Sequence, residues 1–170
     1  MKMRSDWFIG LLVSLAFVCA AGSEHAVAAA PAKREILPGS ATGFVKVDGK
    51  RFQISHAYAL GVVDDYWVLL TDVSVPGATF LNPRKVLGLG QDGKTHGLLM
   101  IVDSKGNPNP VTVLQASEMT GDMSWQKTEF SALSKAGMEA TTYTLGPHKM
   151  GAGSTCEYRV SFKAPVNIMK

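Results

Sequence analysis

The run Arg51–Val62, RFQISHAYALGV, constrains the fold of this chain more than any other segment. Phe52, Ile54, His56, Tyr58, Leu60 and Val62 fall on one side of it, and Arg51, Gln53, Ser55, Ala57, Ala59 and Gly61 on the other. A repeat of two is the geometry of a β-strand with one buried and one wetter face. The strand has a partner upstream: Phe44–Val47 leads into Asp48-Gly49, a turn pair whose glycine supplies the positive φ of a tight hairpin. Asp64-Asp65 turns the chain into Tyr66–Thr71, which is apolar on both sides and therefore predicts a central strand covered on both faces.

The same grammar continues to the C-terminus. Leu98–Val102 is a second strand with two apolar faces, Lys105–Pro110 is dense turn chemistry, and Val111–Ala116 is the next strand. Ser124–Phe130, Met138–Leu145 and Thr155–Lys163 complete the set. One stretch departs from it: Asn82-Pro83 is a helix start, with Asn as N-cap, so one short helix is expected near 83–89. The expected fold is all-β, a single antiparallel β-sandwich or partly open barrel of about seven to nine strands.

The N-terminus predicts export. Lys2 and Arg4 precede an apolar run from Trp7 to Ala21, the length of a signal-peptide core and short for a membrane span. Cleavage is expected after Ala21 to Ala28, which makes residues 1–28 a signal peptide, 29–40 a flexible lead-in and 41–170 the β-domain. The mature chain then carries no transmembrane segment and works in the periplasm or outside the cell. Cys19 leaves with the leader; Phe17 and Val18 are too bulky for a lipidation signal, and Cys156 remains alone with no intramolecular disulfide. The formal charge of +3 is unchanged by the cleavage, which removes two residues of each sign. No dense basic stripe interleaved with aromatics is present, so no nucleic acid is expected as partner.

The chemistry-bearing residues are scattered. His56 and Tyr58 on the best strand point either into a ligand pocket or into a hydrogen-bonded core. His148, in the long loop Gly146–Ser154, is the third candidate for a binding surface. A copper reading uses His148, Met150, Met119 and Met123, since thioether sulfur with imidazole suits Cu(I). Zinc has no pair of His or Cys at ligand spacing on one element. Cys156 belongs to the apolar set of its strand, no Gly-x-Ser-x-Gly elbow exists, and Asp64-Asp65 reads as turn chemistry. Gly146–Thr155 carries Ala152 where a phosphate loop needs Lys, and no cofactor is expected.

The order Asp48-Gly49-Lys50, His56-Ala57-Tyr58-Ala59, Leu69-Leu70-Thr71-Asp72, Gly93-Lys94-Thr95-His96-Gly97, ending in Phe162-Lys163-Ala164-Pro165-Val166, resembles an uncharacterised family of small exported bacterial β-rich proteins with a DGK…HAYA…LTD…DGKxH layout. The resemblance implies a shared fold and no catalytic residues. The expected function is accordingly an exported, non-catalytic binding or accessory module of unknown ligand or protein partner. A periplasmic copper-binding protein and a small hydrolase, whose site no spacing reveals, are the alternatives.

Overall fold

A computed structural model describes residues 39–114, 118–119, 124–151 and 153–168. The expected leader, its cleavage site, Cys19 and Met123 lie outside the described residues. The elements are β1 (Gly39–Val47), β2 (Lys50–Val62), β3 (Asp65–Thr71), α1 (Gly77–Phe80), α2 (Pro83–Leu89) and β4 (Gly97–Asp103). They continue as β5 (Pro108–Val113), β6 (Glu118–Met119), β7 (Gln126–Leu133), β8 (Gly137–Thr144), β9 (His148–Lys149) and β10 (Thr155–Ile168).

All strands join one sheet in the order β6-β5-β4-β3-β2-β1-β10-β8-β7, with β9 beside the start of β10. The sheet curls into a half-barrel, so the open-barrel form of the expected all-β fold is the one realised. Every pairing is antiparallel except a short one: past the start of β1, the end of β10 takes its place beside β2, with Val166 opposite Ala59. Among the described residues no helix is long and apolar enough to cross a membrane.

The turns follow from their residues. Asp48 and Gly49 both have positive φ, 48° and 83°, as a two-residue mirror-image turn requires. The second hairpin differs from expectation. Val62 pairs with Asp65, so the loop residues are Val63 and Asp64, and Val63 takes the left-handed conformation at φ 53°.

A bulge sits in β1, where the register against β2 shifts between Ser40 and Gly43. At Gly43 (φ 149°) a Cβ would stand 2.0 Å from the Arg159 carbonyl oxygen, so only glycine lets β10 approach there. Bulges sharpen twist, and here the twist changes which side of β2 meets the interior. Ile54 packs in the inner core together with Ala57 and Ala59, while Tyr58 and Leu60 pack in a second cluster on the other side. The sequence alternation had put Ile54, Tyr58 and Leu60 on one face; the bulge in the neighbouring strand is what separates them.

Strands β3 and β4 are covered on both sides, as their composition requires. Val68, Leu70, Leu98, Met100 and Val102 enter the inner core, and Leu69 and Leu99 the outer cluster. The outer cover comes from the 72–96 connection, through Val75, Phe80 and Val86. Asn82 caps α2 as expected, its Oδ1 accepting from Lys85 N–H at 3.3 Å; the single turn α1 had no sequence signal. Tyr58 pins this cover down: its hydroxyl accepts from Val75 N–H at 2.9 Å, and its ring packs against Phe80 with centroids 6.1 Å apart.

Candidate functional site

Antiparallel pairing sets the site. Thr71 lies opposite Gly97 at the end of the β3–β4 ladder, so the next residues outward, Asp72 and His96, must face each other. Asp72 N–H donates to the His96 carbonyl at 3.0 Å. In return the Asp72 carboxylate takes two hydrogen bonds from His96, the backbone N–H on Oδ1 at 2.8 Å and ring Nδ1 on Oδ2 at 2.7 Å. A carboxylate of this kind only accepts, so Nδ1 carries a hydrogen, and in the neutral ring the lone pair is therefore on Nε2. Gly97 makes the approach possible, because a Cβ there would meet the Leu70 carbonyl oxygen at 1.9 Å.

The ring is fixed a second way. Phe52 of β2 stacks on His96 with centroids 3.7 Å apart and planes 10° from parallel. Both partners of the pair are largely shielded, with side-chain exposures of 20% for His96 and 18% for Asp72. A neutral imidazole held by a carboxylate on Nδ1 and by an aromatic face keeps Nε2 as its hydrogen-bond acceptor.

His96 lines an open cavity of about 400 Å³, shared with Val47, Asp48, Lys50, Phe52 and Ser154 and with Gly90, Gln91 and Gly93 of the turn region that follows α2. Asp48 is spoken for: its Oδ1 accepts from Thr155 N–H at 2.8 Å, which ties the β1–β2 hairpin to β10. Lys50 is the cation of the wall and Ser154 its hydroxyl. Larger grooves of about 580 and 820 Å³ run over the β1, β10, β8 and β7 region. Of their charged groups, Lys163 pairs with Glu139 at 3.4 Å and Glu129 accepts from the Tyr143 hydroxyl at 2.7 Å, and neither groove contains an imidazole.

The residues singled out from sequence lie elsewhere. His56 is half-buried on β2, opposite Thr71 and Ser40. Tyr58 is buried and its hydroxyl is engaged by the protein itself. His148 lies opposite Cys156, which lies opposite Val47, which lies opposite Lys50. That places His148 six residues, roughly 20 Å, along the strand direction from His56. The His148 ring stacks on Trp125 at 4.2 Å with planes 1° apart. Trp125 in turn meets the edge of Tyr158, whose hydroxyl donates to Gln126 Oε1. Met150 is a buried core residue, and Met119 belongs to β6. Cys156 is free and buried, and burial pushes its thiol pKa up to about 12. The Asp72–His96 pair was not found from the sequence, although both residues stood in the quoted layout; a separation of 24 residues matches no motif, and only the strand register joins them.

No protein-family model, curated protein or solved structure matches this chain.

Proposed function

We propose that this chain is an exported binding module whose ligand seat is the cavity at His96. Export rests on the leader, with Lys2 and Arg4 ahead of the apolar run. The observation that carries the binding reading is the double hold of Asp72 on His96, which fixes the ring beside a cavity with Nε2 available. A Lys50 ammonium and a Ser154 hydroxyl on the same wall suit a small carboxylate carrying a hydrogen-bond donor, such as an amino acid or hydroxy acid. Titration of isotope-labelled protein with glutamate, succinate and lactate tests this. Shifts concentrated at Lys50, Phe52, His96 and Ser154 are expected. Shifts confined to other surfaces, or none with any of the three, would refute it.

A second reading, a small hydrolase, is favoured by one fact: Ser154 shares the cavity with a carboxylate-held imidazole, the base and orienter of a nucleophilic site. It requires turnover of an activated ester such as p-nitrophenyl acetate that Ser154→Ala abolishes while glutamate binding survives. No turnover, or turnover indifferent to Ser154→Ala, leaves the binding module.

A further inference from the structure

We propose that His148, Met150 and Cys156 form a buried soft-metal site for one Cu(I) ion, entered from the His96 cavity. In the β9–β10 ladder His148 lies directly opposite Cys156, and directly opposite residues share a face with Cβ atoms about 5 Å apart. Met150 is two residues on from His148, on the same side, and its N–H closes the hairpin on the Ser154 carbonyl at 2.7 Å. An imidazole, a thioether and a thiol are thus gathered on one side of one short hairpin.

Three features select the ion. Thiol, thioether and imidazole are the donors that favour Cu(I). Among the described residues no three His, Cys, Asp or Glu come together, so the donor set of a zinc site is lacking. Cys156 and Met150 are 0% and 4% exposed, and charge buried at that depth has to cancel. A monovalent ion on one thiolate leaves no net charge, whereas a divalent ion leaves one. The cavity is also adjacent: Val47 and Ser154, which line it, are the strand neighbours of Cys156 and Met150. Binding converts Cys–SH and Cu⁺ into Cys–S–Cu and H⁺, one proton released per copper. Cys156 here takes the place of Met119 and Met123 in the ligand set read from the sequence. Met119 lies in β6, which pairs with β5 and with neither β9 nor β10.

The test is an anaerobic, ascorbate-reduced titration of the purified full chain with Cu(I) against bathocuproine disulfonate, with native mass spectrometry and proton-release measurement alongside. One copper and one released proton per chain are expected, with quenching of Trp125 fluorescence through the stacked His148. Cys156→Ser should abolish the proton release, and His148→Gln and Met150→Leu should each weaken binding by about tenfold or more. His96→Gln should leave copper affinity unchanged while abolishing the carboxylate response, which separates this site from the cavity reading. Absence of a 1:1 adduct overturns the proposal. So does a folded Cys156→Ser or, where that variant fails to fold, a folded Met150→Leu that binds copper as tightly as the parent.

Discussion

Asp72 and His96 grip each other twice, the aspartate carboxylate accepting both the backbone N–H and the ring Nδ1–H of the histidine at 2.8 and 2.7 Å. The pair closes the 73–95 connection that carries the helices across the outer face of the sheet, so one contact serves both the fold and the cavity. Asp72→Ala would leave a largely buried N–H and ring nitrogen without acceptors. A loss of about 2–3 kcal/mol in urea unfolding is expected, together with broadened His96 ring signals. A loss under about 0.5 kcal/mol would mean that the pair is not a structural clasp.

Val63 stands at the tip of the β2–β3 hairpin, 99% exposed and at φ 53°. A β-branched residue in that conformation is strained, and with no packing to lose, Val63→Gly should raise stability by about 1 kcal/mol. The urea midpoint should rise with its slope unchanged. A fall in the midpoint would show that the valine side chain makes a compensating contact.

Burial raises the Cys156 thiol from its ordinary value of 9.0 to about 12, with Glu157 and Asp48 adding smaller repulsive contributions. The folded state therefore holds a proton that the unfolded chain releases first. The stabilisation is complete below pH 9 and is lost as pH rises toward 12, with a slope of at most about 1.4 kcal/mol per pH unit from this group. Unfolding of the parent and of Cys156→Ala at several pH values checks the sign. The parent should fall more steeply above pH 9, and parallel curves would contradict the assignment.

Much of the fold could be read from patterns within single segments. The doubly apolar Tyr66–Thr71 and Leu98–Val102 became central strands, Asp48-Gly49 became a hairpin, and Asn82 became a cap. What stayed hidden depends on neighbours across strands. The bulge beside Ser40 and Gly43 redirects Tyr58 and Leu60 away from Ile54, and no property of β2 itself announces it. Tyr58 drew attention as a ligand candidate because of its strand position, yet its hydroxyl receives Val75 N–H. Asp72 and His96 carry no spacing signal because the register of Thr71 with Gly97 is what brings them together.

The central claim is that Asp72 holds His96 in one tautomer, with Nε2 left to meet a ligand. A long-range ¹H–¹⁵N correlation spectrum of the histidine rings, recorded on the neutral ring and repeated with glutamate, reads this directly. The account predicts a protonated Nδ1 and an unprotonated Nε2 for His96, with the Nε2 signal moving on glutamate addition. A protonated Nε2, or an Nε2 signal indifferent to glutamate, succinate and lactate alike, would contradict it.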